Sequence, residues 1–418
     1  MKFDYVVVGG GTAGCAVAYI LGKANKNVLL IEKNIHLGGT MTSALVTPMM
    51  KTSDNSINNE FLDDFLNEMR KYDAAITYID GNIGWFNPEI AKIVLDELMC
   101  KANVQVLYSA SLRNVNISNR YINSIDIDIN MLSVHIETKY VIDATGNCEV
   151  GKLSNCNFLE NNSNFQPLTL RFIVENVNLK EFSDWITNLD KDRDVTTSCK
   201  INDEIHLSTA YTWDNNRNWA LSTLFDDAVN KNILKDSDRN YFQLFTVPKM
   251  PNAVAFNCPR MILDSNISPF EPFMYSKSLQ NARFTIMRLL KFMNIYLKGF
   301  ENAYISNIAD MVGIRENNRI AGKYVYTIAD LKSGKKFDNP VLISNYPIDV
   351  HSTDKSSSAM EKINIEYQLP VESLISKDID NLYVAGRCIS ADFYAQSALR
   401  IIPSCFSMGT GLAKYLLK

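Results

Sequence analysis

The sequence predicts an α/β protein: a three-layer domain built on a mostly parallel sheet, interrupted by an inserted mixed α+β domain. Three observations carry this. β-branched runs flank a helical stretch of small residues at the start, a buried strand runs into a glycine turn at VIDATG, and a last buried strand, NLYVA, precedes a small-residue helix.

Taken in order, the opening reads as a strand from Phe3 to Val8, a helix from Thr12 to Lys23 and a strand from Val28 to Glu32, which is a βαβ unit. Ile57, Phe61, Leu62, Phe65, Leu66 and Met69 recur at helical spacing with the charges on the other side, so an amphipathic helix packs there. The order Asn87, Pro88, Glu89 supplies a cap, a first-turn proline and an acidic start, and predicts a helix from Pro88 to about Lys101. A strand, Val104 to Tyr108, returns after it. Alternating runs from Arg120 to Tyr140 predict a hairpin or meander that leads into Val141 to Gly146. An asparagine-rich loop, Asn155 to Asn164, opens the insert. The insert carries strands at Leu168 to Val174, Glu204 to Trp213, Tyr241 to Val247 and Ala253 to Asn257, with two long helices. Asn381 to Ala385 and a helix from about Pro403 to Leu417 return to the first domain. The expected divisions are 1–154 and 370–418 for the first domain and 155–369 for a substrate or cap domain.

VVVGGGTAG places Gly9, Gly11 and Gly14 in G-x-G-x-x-G spacing between a strand and a helix, the context that makes this pattern specific. Gly9 allows the tight turn, Gly11 lets the backbone approach a pyrophosphate, and Gly14 lets helix and sheet pack closely. The helix start, with Thr12 and Ala13, presents amides and the positive dipole end to the anion. Glu32, at the end of the second strand, is placed to accept from adenosine ribose hydroxyls, and its charge disfavours a 2′-phosphate. The fold is therefore Rossmann-type. This unit alone leaves NAD and FAD open, because both carry the same ADP half.

Composition excludes other classes. At 46% apolar and 21% charged, the 418-residue chain reads as an ordinary globular protein of two joined domains. With 42 Lys and Arg against 46 Asp and Glu its net charge of −4 offers no basic field for nucleic acid, and the expected partner is a small molecule. MKFDYVVVGGG carries no export signal, and the greasiest helix, Phe284 to Leu297, is broken by Arg288, Lys291 and Asn294, so a cytoplasmic protein without a membrane span is expected. The eight cysteines form no C-x-x-C pair, and the four histidines, His36, His135, His206 and His351, lack metal-ligand spacing, so no metal is expected.

Beyond the first unit come HLGGT from His36 to Thr40, VIDATG, and VAGR from Val384 to Arg387. Together these resemble the shared elements of FAD-dependent oxidoreductases of the glutathione-reductase-like superfamily. LGGTMTSALVTPM, GWFNPE, QPLTLRF, VGIRENNRIAGKY, YPIDVH and LYVAGRCISADFYAQSALRIIPSCFSMGTG are similar, in that order, to the bacterial proteins named FAD-dependent oxidoreductase. The region from Asn176 to Met250 has no recognisable motif. The resemblance implies non-covalent FAD as cofactor. It places Gly38, Gly39 and Thr40 beside the isoalloxazine, Ala144, Thr145 and Gly146 on the adenosine side, and Gly386 with Arg387 at the pyrophosphate and ribityl chain. Lys33 and Leu112 join the expected cofactor-binding set. So does Ile402, where Ile401 to Ser404 open the last helix toward the flavin N1 and C2 carbonyl. The chain departs from the family at Asn147, Cys148 and Glu149, where acidic residues are common, and at Asn317 and Asn318, where several members carry serine and arginine.

The flavin of such a protein supplies the redox step, so the chain must hold a substrate and handle one proton. Arg400 is the expected anion-binding residue near the ring, for a substrate carboxylate or the flavin O2. Asp349 and His351 share one strand face and suit general acid or base work. Arg315, with Glu316 and Arg319, forms a charged group in an apolar stretch, read either as catalytic or as paired across domains. Tyr394 and Gln396 are further candidates to face substrate. The expected activity is a dehydrogenase or reductase passing hydride between a small molecule and FAD. The alternatives are a flavoprotein monooxygenase or halogenase, whose late G-D motif is here Gly386-Arg387, and a flavin-bearing electron-transfer protein.

Overall fold

The computed structural model describes residues 1–160, 165–212, 219–239, 241–261, 271–351 and 358–418. The expected strand end at Trp213 and the end of the asparagine-rich loop at 161–164 lie outside the described residues.

Strand β1 (Lys2–Val8), helix α1 (Thr12–Lys23) and strand β2 (Val28–Ile31) form the βαβ unit, with Tyr5 opposite Val28 and Val8 opposite Ile31 in parallel register. Their apolar runs are buried on both faces, as a covered parallel strand requires. Helices α2 (Glu60–Lys71) and α3 (Pro88–Lys101) follow. α3 starts where the sequence predicts, with the Asn87 side chain accepting from the amides of Glu89 at 2.9 Å and Ile90 at 3.3 Å. Strand β3 (Gln105–Leu107) joins the far edge of β2, and the expected meander is β4 (Ala110–Ser118), β5 (Tyr121–Ile129) and β6 (Leu132–Asp143). β6 is long enough to leave the meander and continue parallel beside β1, Val8 meeting Asp143.

The insert carries β7 (Leu168–Thr169), β8 (Phe172–Glu175), β9 (Thr196–Ile201), β10 (Glu204–Thr212), β11 (Tyr241–Thr246), β12 (Val254–Phe256) and β13 (Tyr304–Ile308). All but β7 form one antiparallel sheet in the order β9, β10, β11, β12, β8, β13. Of the two long helices expected, one is long among the described residues: α4 (Pro272–Tyr296), capped by Glu271. β14 (Ile348–His351) then leads toward β15 (Leu382–Val384), which runs parallel to the end of β6, and α5 (Ile402–Leu416) closes the chain against α1.

Buried apolar side chains form two cores. Residues from Leu168 to Val312 build the second, together with Leu45, Ile76, Tyr78 and Trp85 from the first domain. Ile320, Tyr326, Leu342, Ile348 and Leu369 pack in the first core, although the sequence placed their segment in the insert, which was expected to run to 369. The motif-bearing turns after β1, β2, β6 and β15 all lie at the carboxyl ends of parallel strands, where this class of sheet binds ligands.

Candidate functional site

A cavity of about 690 Å³ opens at those strand ends and reaches under the second sheet. Gly9 turns the chain at φ +104°, and a Cβ there would come within 2.5 Å of the Ala144 carbonyl oxygen. Gly11 differs, since no atom lies within 4 Å of the place a Cβ would take. That open space belongs to the cavity. Thr12 and Ala13 line it at the start of α1, which has neither a side-chain cap nor an acidic residue in its first turn, so its amides and positive dipole end face inward. α5 is alike: Ile401 and Ile402 line the cavity and its first turn is uncapped.

Glu32 is 5% exposed, with Oε2 accepting from the Gly10 amide and Oε1 from the Asn34 amide, both at 2.8 Å. It thus ties the glycine loop to β2 while lining the cavity beside Lys33. Gly39, Thr40, Leu112, Ala144, Thr145, Gly146, Gly386 and Arg387 complete this arm. Gly14 and Gly38 stand behind its wall. Gly14 packs on the Gly9 carbonyl, and the Gly38 amide donates to the Gly10 carbonyl at 2.8 Å, joining the two loops. The Arg387 guanidinium lies against Gly146 and donates to the Ile314 carbonyl.

The other arm gathers the expected catalytic residues. Arg400 Nη2 donates to the Asp349 carbonyl at 2.9 Å and lies 3.3 Å from its Oδ2, while His351 Nε2 is 3.4 Å from Asp349 Oδ1. Arg315 Nη1 donates to the Pro167 carbonyl and to Thr169 Oγ1 at 2.9 Å. Burial opposes ionisation of Asp349, but His351, Arg400 and Arg315 outweigh it and hold the carboxyl well below the usual carboxylate range. Burial and the Arg315 charge push His351 down as well, to about 3, so the pair is a carboxylate beside a neutral imidazole. Burial, with Arg400, Arg260 and Arg171 nearby, lowers Arg315 well below an ordinary guanidinium.

Glu316 and Arg319 do not line the cavity. Glu316 accepts from the Gln166 amide, and Arg319 donates to the carbonyls of Ala391 and Glu160, so main-chain groups hold both. Tyr394 is about half exposed and outside the cavity, whereas Gln396 is buried and donates to the Arg315 carbonyl at 3.3 Å. The structure adds residues the sequence reading did not single out. Arg171 and Tyr346 line the same arm, and the insert's sheet contributes Tyr241, Gln243 and Asn257. Arg171 and Tyr346 sit inside QPLTLRF and YPIDVH, motifs already visible, but spacing alone gives no direction to a side chain in an irregular turn. Burial and the Asp349 charge push the Tyr346 phenol up, which keeps it protonated.

The profile of the family described as FAD dependent oxidoreductase matches residues 4–414. The chain belongs to that family. A 70-residue stretch, 16% of this chain, is 34% identical to the FAD-dependent oxidoreductase oblC of Cochliobolus heterostrophus, of which it covers only 14%. Among solved structures, the geranylgeranyl bacteriochlorophyll reductase-like protein of Thermoplasma acidophilum aligns over 99% of this chain and 77% of its own, at 13% identity and a TM-score of 0.49. A flavoprotein/dehydrogenase from Cytophaga hutchinsonii aligns over 100% and 79%, at 12% identity and 0.45. At these scores neither likeness bears on the reaction.

This FAD-dependent oxidoreductase takes FAD as its cofactor, and the residues present fit it. Open space at Gly11, two uncompensated helix starts and the Glu32 carboxylate suit an elongated molecule with a pyrophosphate in the middle and a ribose at one end. No helix among the described residues is long and apolar enough to cross a membrane, and none of them form a group of three or more metal-ligating side chains.

Proposed function

We propose that this flavoprotein is a dehydrogenase or reductase acting on a small molecule held between the two sheets. One observation carries the reading. The Arg400, Asp349 and His351 group and Tyr346 line the same cavity as the arm that suits FAD, so a substrate there would touch proton-bearing groups and cofactor together. FAD supplies the hydride acceptor or donor when bound. The chain's own part is to hold and neutralise. Gly11, Thr12, Ala13 and Glu32 would hold the ADP half, Gly39 and Thr40 would lie beside the ring, and the start of α5 would stabilise negative charge on the reduced flavin.

Arg400 orients the substrate, itself fixed by Asp349 and by Gln166 Oε1 at 3.5 Å. Tyr346 is a hydrogen-bond donor toward the substrate in this reading, because its phenol keeps its proton while Asp349 stays ionised. Asp349 and His351 position Arg400. Eight free thiols suit a reducing compartment, and the cytoplasm is the proposed location.

The test is anaerobic mixing of the holoenzyme with hydroxy acids, amino acids, enoates and NAD(P)H. Rapid bleaching of the flavin by one of them supports the reading. Hydroxylated or halogenated product formed only with oxygen would replace it by the monooxygenase or halogenase alternative.

A further inference from the structure

We infer that the substrate is a small organic acid whose carboxylate is held by Arg171, on the insert side of the cavity. This rests on the proposed function only in seating the substrate there. Thr169 and Gly313 form an antiparallel bridge, their amides and carbonyls exchanging bonds at 3.1 and 2.8 Å, and Arg171 follows Thr169 by two residues. Arg171, Thr169 and Arg315 all line the cavity.

A guanidinium has five N–H donors and stays charged in proteins. Among the described residues Arg171 uses one of them, in a long 3.3 Å bond from Nη1 to the Leu45 carbonyl. Neither Arg171 nor Arg315 forms an ion pair with a described carboxylate; Arg315 is bound to a carbonyl and a hydroxyl. The nearby carboxylate, Asp349, is already shared between Arg400 and His351. With Arg260 against His351 and the buried Glu316 beside Arg315 included, four guanidinium groups stand around this arm against two carboxyl groups and one neutral imidazole. Buried cations are stable when paired, so a further negative charge belongs here, and it must arrive from outside.

The walls say what carries it. Trp85 and Phe245 line the cavity beside the guanidinium, whose Cζ is 5.9 Å from the Phe245 ring centroid. Trp85 is 3% exposed and stacks on Tyr78 with ring centroids 3.8 Å apart, so this wall is a fixed aromatic face. The guanidinium fork takes an oxyanion in two parallel bonds and the aromatic walls call for an organic body, so an organic carboxylate fills both where inorganic phosphate leaves the walls uncovered.

The test titrates the holoenzyme, its flavin oxidised, at constant ionic strength with acetate, succinate and benzoate, with their amides, and with inorganic phosphate, following the visible flavin bands. At least one acid should shift the bands saturably while its amide does not. Arg171→Gln should raise the Kd of that acid about tenfold or more at unchanged FAD content, and Arg171→Lys, which keeps the charge without the fork, should fall between. Should Arg171→Gln lose its flavin, Arg171→Lys carries the test: a Kd raised several-fold supports the inference and a parental Kd overturns it. It is also overturned if no acid moves the spectrum, if amides or phosphate bind as well as acids, or if Arg171→Gln binds with parental Kd. The flavin stays oxidised throughout, so a protein that binds acids but is bleached by no reductant would end the hydride-transfer reading and leave this inference standing.

Discussion

Nη2 of Arg260 lies 2.8 Å from Nδ1 of His351. A guanidinium can only donate, so Nδ1 accepts and the imidazole proton belongs on Nε2, the nitrogen facing Asp349. Arg260 is itself fixed, its Cζ 3.9 Å from the Tyr241 ring centroid. His351 is thus a neutral spacer between two charges.

The first prediction follows from that neutrality. Substrate-driven flavin reduction should show no step near the ordinary histidine pKa of about 6.5 when measured across the pH 5.5 to 8 range. Stability should change instead. His351 holds a folded pKa of about 3, below its unfolded value, so as pH falls through about 6.5 the unfolded chain gains the proton first and stability is lost down to about 3. Asp349, also depressed, adds its loss as pH drops below the usual carboxylate range. His351→Gln should therefore flatten the acid limb of unfolding free energy plotted against pH, whose slope approaches about 1.4 kcal/mol per pH unit for each such group. An unchanged limb would show that His351 takes up its proton at the same pH in the folded and the unfolded chain.

Gly11→Val separates folding from cofactor binding. Backbone φ at Gly11 is −75°, which valine tolerates, and its Cβ would meet no protein atom. The variant should fold with normal circular dichroism yet purify colourless, because the side chain occupies the space the pyrophosphate needs. Normal FAD content would mean that the pyrophosphate lies elsewhere.

Much of this was legible in the sequence. The βαβ unit, α3 and its Asn87 cap depend on local signals, and the structure places them as read. The residues expected to bind FAD nearly all meet at one cavity because the strand ends that carry them are aligned by the sheet. The insert's contribution was not legible. Tyr241, Gln243 and Asn257 sit together on consecutive antiparallel strands, but that they line the cavity depends on how the insert's sheet packs against the first domain, and no spacing records that packing. Nor could composition show that 320–369 packs with the first core, since an apolar run does not name its partner.

Glu32→Ala should weaken FAD binding by roughly 1–3 kcal/mol, the range of a charge-assisted hydrogen bond. The structure adds a second expectation. Because the carboxylate also accepts from the Gly10 and Asn34 amides, the FAD-free variant should melt below the FAD-free parent. Calorimetry of both apo-proteins and FAD titration by fluorescence quenching check the two effects separately. Parental affinity would show that another residue holds the ribose.

Arg400 is the residue on which the two arms of the cavity join, lining the wall beside Ile401 and Ile402 while its Nη2 reaches Asp349. The most direct measurement is therefore anaerobic stopped-flow reduction of Arg400→Gln and parent at matched FAD content, using whichever reductant bleaches the parent. The variant should keep its flavin and be reduced at least about a hundredfold more slowly, as for a lost interaction with a reacting anion. Reduction of the variant at the parental rate would contradict this.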